Sequence, residues 1–277
     1  MTQPLGISDL VSQVFTIFRT RFQVIFLVAL LYSVVSIGLS VALIGPAATF
    51  GLQDPLAVEA FDPETLDPET FDPETFDPQA MGIDPPGVGD FLNGLLQILL
   101  SAFFVAAMAR LVVDAQAGRQ DTAQVYLRTA MASALTVAAL TIAISVMGGL
   151  GIVLLILPGI WVLAVFSVAI PAAVIEGRGF DALARSAELT KGYRWPIVGF
   201  GLVFLLIVVL LSLLVGTILV PVTGLAGAGG EVSALGGLVV AIVTAAVSAA
   251  YAGLGAIPAP VLYLRLRALK GEGAPAG

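Results

Sequence analysis

The sequence predicts an all-α integral membrane protein of six transmembrane helices, arranged as three hairpins with amphipathic helices along the cytoplasmic interface. Three observations carry that expectation. Of 277 residues, 58% are hydrophobic and only 11% are charged, against roughly 45–50% and about 25% in soluble chains. The apolar residues gather into runs of about 20, the length that crosses a bilayer core as a helix. The twelve basic residues all fall on one side of the six-helix scheme.

The first run is Val24 to Ile44 and the second Phe91 to Val113. The next stretch, Ala134 to Ile175, is too long for one span. Leu157-Pro158-Gly159 divides it, because proline interrupts the helical ladder and glycine permits reversal. The fifth run is Ile197 to Val220. The sixth is Ala234 to Leu264, with Pro258 and Pro260 kinking its end. All six are continuously apolar rather than alternating. In lipid every backbone polar group needs an internal partner, so such runs are helices and not barrel strands. The first is too long for the apolar part of a signal peptide and lacks a short basic leader, so an uncleaved helix is expected.

Arg19 and Arg21 precede the first run, and Arg110, Arg119 and Arg128 lie at or between the second and third. Arg178, Arg185, Lys191 and Arg194 lie between the fourth and fifth, and Arg265, Arg267 and Lys270 end the sixth. The positive-inside rule makes that side cytoplasmic. The expected setting is a bacterial inner (plasma) membrane, multi-pass, with both termini in the cytoplasm. On this scheme Trp161 is expected near the outer interface and Trp195 near the inner one.

Residues 1–277 read as one membrane domain, with an extracytoplasmic loop, 45–90, inserted between helices 1 and 2. The loop carries a five-residue repeat, Phe61-Asp62-Pro63-Glu64-Thr65 and its successors. Proline at every fifth position prevents a continuous helix, which makes an acidic solvated linker the plain expectation. Phe61, Leu66, Phe71 and Phe76 recur as candidate anchors for a docking partner. Calcium is a weaker alternative, because the dense oxygen spacing of a calcium loop is missing.

Each hairpin is preceded by a short amphipathic stretch. Ile7, Leu10, Val11, Val14, Phe15, Phe18 and Phe22 recur at helical spacing before the first helix, with Ser8, Asp9, Ser12, Gln13, Thr16 and Arg19 facing away. Thr122 to Met131 precedes the third and Phe180 to Trp195 the fifth. In that last stretch Asp181 is the expected cap, Phe180, Leu183, Ala184 and Ala187 the apolar stripe, and Gly192 the stop. Ala169-Ile170-Pro171-Ala172 at the end of the fourth helix recurs as Ala256-Ile257-Pro258-Ala259 at the end of the sixth.

With no Cys and no His, thiolate nucleophiles, Cys/His metal sites and imidazole catalysis are excluded. The runs hold no charge near their middles, only mild polar residues such as Ser36, Ser40, Gln97, Thr141 and Ser145, which suit helix packing. Small residues recur every fourth position at Thr141, Ser145 and Gly149, and again at Ala245, Ala249 and Gly253. No catalytic residue, cofactor or metal is expected.

Three stretches resemble one bacterial family. They are Leu5-Gly6-Ile7-Ser8-Asp9-Leu10 through Phe22, then Leu157-Pro158-Gly159-Ile160-Trp161 through Pro171, Glu176-Gly177, Arg185-Ser186 and Leu189-Thr190-Lys191-Gly192 to Trp195, and finally Tyr263-Leu264-Arg265-Leu266-Arg267. Their order is similar to the family named after the membrane domain of glycerophosphoryl diester phosphodiesterase, which includes YciC-like inner-membrane proteins. The resemblance implies structural roles for Pro158, Gly159, Pro171, Gly177, Ser186, Gly192, Tyr263 and Arg267. Because the sequence ends at Gly277, it implies the membrane module without the catalytic phosphodiesterase domain.

The expected function is therefore a non-enzymatic membrane module that organises lipids or partner membrane proteins. Arg185, Lys191, Arg194, Trp195 and Glu176 are its candidate interfacial and lipid-headgroup residues. Two alternatives stand beside it: a transporter or channel for a lipid or apolar solute, and an accessory subunit of a larger membrane complex docked through the acidic loop. Membrane lipids are the expected partners, with a second membrane protein as the alternative and no nucleic acid.

Overall fold

Long apolar segments that find no hydrogen-bond partners in lipid must satisfy their own backbone, and this chain does so with helices throughout. The computed structural model describes residues 5–50, 87–119, 121–227 and 234–273. Helices α1 (Ile7–Thr20), α2 (Phe22–Phe50), α3 (Val88–Gln116), α4 (Ala123–Leu154) and α5 (Ile156–Phe166) follow one another. They continue through α6 (Ala169–Glu176), a 3₁₀ turn (Gly179–Asp181), α7 (Ala182–Thr190), α8 (Arg194–Gly227), α9 (Ala234–Gly255) and α10 (Pro258–Leu269). There is no strand among the described residues.

Six segments are long and apolar enough to cross a membrane: Phe22–Gly45, Val88–Gln116, Ala123–Val153, Ile156–Glu176, Arg194–Thr217 and Ala241–Leu269. Large apolar side chains such as Leu27, Leu135, Val153, Leu206 and Leu213 point outward. That much exposed apolar surface is unstable in water and ordinary in lipid. The chain is an all-α membrane protein of six spans. The Asp-Pro-Glu-Thr repeat, with Phe61, Leu66, Phe71 and Phe76, lies outside the described residues.

The chain divides into two compact units, one of Val34–Ile98 and the other of Met1–Ser33 with Leu99–Gly277. In the smaller unit a polar ladder joins α2 to α3. Ser36 Oγ donates to Gln97 Oε1 at 2.7 Å, and Gln97 Nε2 donates to the Ser36 carbonyl and to Ser40 Oγ, both at 2.9 Å. Ser40 Oγ donates to Asn93 Oδ1 at 3.1 Å. Such amide–hydroxyl contacts hold helices together where the hydrophobic effect offers no drive.

In the larger unit α1 buries Leu10, Val14 and Ile17 and exposes Ser8, Asp9, Ser12, Thr16 and Arg19; this is the amphipathic split expected, except that Ile17, not named for the apolar face, is buried and Phe15, named for it, is exposed. It packs across α8 and α10. Thr122 to Met131 does not form a helix of its own. From Ala123 onward it is continuous with the third span, since nothing in Ala123–Leu154 interrupts the ladder. The α4–α5 hairpin reverses at Leu155, in extended backbone (φ −159°, ψ 128°), and not at Leu157-Pro158-Gly159. Pro158 instead occupies the first turn of α5, where its missing amide costs nothing. Gly159 serves the hairpin by close approach. A Cβ there would fall 2.3 Å from Ile152 Cγ1, and one on Gly151 would fall 2.8 Å from Gly159 Cα.

Of the two small-residue stripes, Ala245, Ala249 and Gly253 are buried, and a Cβ on Gly253 would meet Ile25 of α2 at 2.9 Å. The other stripe is displaced by one position. Gly148, not Gly149, faces α5, where a Cβ would meet Leu163 at 2.8 Å. The core around these contacts includes Ile25, Met108, Leu189, Ile257, Tyr263 and Leu266.

Candidate functional site

Both copies of the Ala-Ile-Pro-Ala segment lie at a break in a span. The fourth span is interrupted at Ser167-Val168, just before α6, and the sixth at Ala256-Ile257, just before α10. A break frees backbone groups that lipid cannot satisfy. At the first break α7 supplies the remedy. Ser186 Oγ donates to the Val165 carbonyl at 2.7 Å and accepts from the Val168 amide at 3.4 Å. Thr190 Oγ1 donates to the same carbonyl at 3.2 Å. Both hydroxyl residues are fully buried. Ser186 is thus a clamp on an interrupted span, and Pro171 is buried in α6 just beyond it.

The chain leaves α6 through Gly177, whose left-handed backbone (φ 67°) ends that helix. After the 3₁₀ turn, α7 runs nine residues and stops at Lys191 and Gly192, the latter at φ 92°. Its buried face is Ala182, Ser186, Leu189 and Thr190. The expected stripe of Phe180, Leu183, Ala184 and Ala187 is half right: Leu183 and Ala187 are partly buried, and the fully buried face carries the hydroxyls that reach the break. Phe180 and Ala184 are exposed. Asp181 precedes α7 without a side-chain capping bond, since the 3₁₀ turn already carries the chain into the helix.

That orientation sends Arg185 inward. Its guanidinium meets Glu176 (Nε to Oε2 at 3.1 Å), Glu188 (Nη1 to Oε2 at 3.4 Å) and Glu272 (through Nη2). The Arg185 side chain is only 10% exposed. Glu176 also receives Arg178 Nε at 2.6 Å and the Tyr263 hydroxyl at 2.8 Å. Arg267 completes the ring, donating Nη1 to the Tyr263 hydroxyl at 3.2 Å and Nε to Glu272 at 3.0 Å. Burial works against the Arg185 charge, but hydrogen bonds to Glu272 and Glu176 overcome it and raise its pKa above the ordinary arginine value. The hydrogen bond from Arg185 lowers the Glu272 carboxyl below the usual carboxylate range, against a smaller opposing effect of burial.

Two contacts in this ring, Glu176–Tyr263 and Arg185–Glu272, each join residues 87 apart. The two Ala-Ile-Pro-Ala segments have the same separation. The elements that carry the contacts differ, however: Glu176 ends α6 while Tyr263 lies within α10, and Arg185 is on α7 while Glu272 follows α10.

Arg194 and Trp195 open α8. The Arg194 guanidinium lies over the Trp161 ring, 5.4 Å from its centroid, and Nε is buried with no hydrogen-bond partner among the described residues. Trp195 is 68% exposed and touches Trp161 edge-on, with centroids 5.5 Å apart. The two indoles thus meet at one level and do not mark opposite interfaces. The break at Ser167-Val168 makes α5 short and holds it against α7 and α8. The Lys191 carbonyl accepts from Lys270 Nζ at 3.2 Å.

A second ion-pair group surrounds Asp114, which is fully buried on α3. Arg110 Nε reaches it at 3.1 Å and Arg119 Nη2 at 3.4 Å, while Arg110 Nη2 reaches Asp121 at 3.2 Å. Sequence reasoning passed over Asp114 and Glu272. No spacing in the sequence points to Glu272; its place beside Arg185 is set by how the tail after α10 packs. Among the described residues no group of three or more His, Cys, Asp or Glu is placed to hold a metal. No protein-family model, curated protein or solved structure matches this chain.

Proposed function

We propose that the chain is a non-enzymatic module of the bacterial inner membrane, with both termini cytoplasmic, that organises anionic lipid at its basic rim. The observation that carries this reading is the pairing of carboxylates at that rim. Glu176, Glu188, Glu272, Asp114 and Asp121 are all engaged by arginines. Carboxylates so occupied tie span ends together and are poorly placed for acid–base work. Basic residues near a cytoplasmic leaflet attract anionic lipid by about 1 kcal/mol each. The likeness to the phosphodiesterase-associated membrane domain is compatible with such a module.

Transport is the second reading, favoured by the two interrupted spans, since unwound backbone can line a substrate cavity. At Ser167-Val168, however, Ser186 and Thr190 take up the freed backbone groups, which supports a static role for that break.

The test is lipid analysis of the protein extracted with its surrounding membrane in native nanodiscs. Enrichment of anionic lipid over the bulk membrane is expected. A lipid composition equal to the bulk, or accelerated lipid scrambling in proteoliposomes, would count against the reading.

A further inference from the structure

The arginines of the rim are not used alike. Arg110, Arg119, Arg178, Arg185 and Arg267 are held by carboxylates. Arg128, in the second turn of α4, has no ion pair among the described residues and is exposed. It lies at the junction of two grooves. One, of about 420 Å³, is lined by Arg128, Thr129, Ser133 and Thr136 of α4, with Ala173 and Val174 of α6 and the Gly177 and Gly179 backbone opposite. The other, of about 530 Å³, runs along Gln124, Leu127, Arg128, Met131 and Ala132. The first volume falls in the range of small-molecule sites, roughly 300–1,000 Å³, and the second lies along one open face of α4.

We propose that this pair of grooves binds one anionic phospholipid, with its phosphate on Arg128 and an acyl chain along Leu127, Met131 and Leu135. The inference rests on the lipid-organising reading and names its site. The first groove contains one cation and no carboxylate, so its charge complements an anion. A guanidinium offers a phosphate two parallel donors, which an ammonium does not. The Thr129 and Thr136 hydroxyls make no hydrogen bond among the described residues and stand ready as further donors. Ser133 Oγ is already committed to the Thr129 carbonyl at 2.7 Å. Gly177 and Gly179 put no side chain into the opposite wall, and nothing lies within 4 Å of the place a Cβ would take on either.

Depth and surface favour a lipid over a free anion. The wall opposite Arg128 is the turn where the fourth span ends at Glu176, and headgroups are expected at the end of a span. Arg128 stands about 8 Å along α4 from its start, at 1.5 Å per residue. The second groove is mostly apolar, and Met131 and Leu135 beside it are 73% and 75% exposed. A free phosphate would use the first groove and leave the second without a role.

The test uses the full chain, purified in detergent and measured by native mass spectrometry with phosphatidylglycerol or phosphatidylcholine of the same acyl length. The parent should retain phosphatidylglycerol preferentially. Arg128→Gln should reduce that preference about fivefold, the factor equivalent to ~1 kcal/mol for one basic residue at an anionic surface. Ala132→Trp, which fills both grooves, should reduce retention of both lipids. Size-exclusion profiles that match the parent exclude misfolding as the cause. If the parent has no preference, the lipid-organising reading fails together with the site. If the parent has the preference and Arg128→Gln keeps it whole, the site alone is overturned. Inorganic phosphate that raises the parent's melting temperature but not that of Arg128→Gln, with phosphatidylglycerol unaffected by either substitution, would make this a free-anion site and overturn the lipid assignment.

Discussion

Arg185 and Arg128 are both arginines at the basic rim of the same bundle, on helices that adjoin α6, and they have opposite fates. Arg185 is turned into a ring of three carboxylates and lies 90% within the protein. Arg128 faces a groove with no carboxylate in it. The difference arises from the neighbours. α7 must turn Ser186 toward the interrupted span, and the adjacent residue is thereby directed at Glu176. No such duty constrains the start of α4, so Arg128 stays open. Basic residues counted along a sequence are therefore not equivalent binding residues. A cation becomes available for a ligand where the protein has not supplied its own anion.

Replacing Arg185 by Leu is the strongest way to break this comparison. Removing one partner from a buried ion pair costs roughly 3–5 kcal/mol because the other charge is stranded. Here Arg178 and Tyr263 remain on Glu176 and Arg267 remains on Glu272, so a loss of about 2–3 kcal/mol is expected. A clear drop in the detergent melting temperature should appear, with the phosphatidylglycerol preference unchanged. A variant that melts like the parent and loses its lipid preference would make Arg185 a headgroup ligand after all.

Ser186→Ala tests the cause of the difference rather than its result. It leaves the Val168 amide without its hydroxyl partner and the Val165 carbonyl with Thr190 alone. An unsatisfied buried polar group costs about 1–3 kcal/mol. With Thr190 still in place, a loss of about 1 kcal/mol in thermal or denaturant unfolding is expected. If stability is unchanged, the hydroxyl does not govern the rotation of α7, and the inward aim of Arg185 needs another explanation.

Much of the architecture was legible in the sequence because lipid leaves so few options. Six runs of apolar residues had to be helices, and the α1 periodicity correctly placed Leu10 and Val14 on its inner face, although it put Phe15 there in place of Ile17. The errors share one physical origin, which is that composition carries no azimuth or depth. Pro158-Gly159 was read as the hairpin turn, yet proline is equally at home in a first helical turn, and the reversal needed only one extended residue at Leu155. Trp161 is expected near the outer interface because it follows the reversal between the third and fourth spans, yet its ring meets Trp195 at the start of α8. The stripe on α7 was taken from its apolar residues, whereas two buried hydroxyls determined its orientation. Arg128 was noted only as one of several basic residues, since its lack of a partner is a property of three-dimensional neighbours.

The mildest test separates the two arginines by pH. The Glu272 carboxyl is held below the ordinary range chiefly by the hydrogen bond from Arg185, with Arg267 assisting. A carboxyl depressed on folding adds stability that is fully present above its unfolded pKa of about 4.3. That stability is lost as pH falls through this value to the lower folded one. The charged groups facing Glu272 are Arg185 and Arg267. Glu176 and Glu188 share Arg185 and form a background present in parent and variant alike. Comparing the parent with Glu272→Gln removes that common background. The parent should lose more melting temperature than Glu272→Gln between about pH 6 and pH 3.5, and the two curves should converge at the acid end. Parallel curves would mean that Glu272 does not fasten the chain end to Arg185. Phosphatidylglycerol preference gives the contrast. No carboxylate lines the grooves at Arg128, so retention should stay level over the interval in which the Arg185 ring begins to loosen. A preference that falls together with the melting temperature would tie the groove to the ring, and the two arginines would then belong to one site.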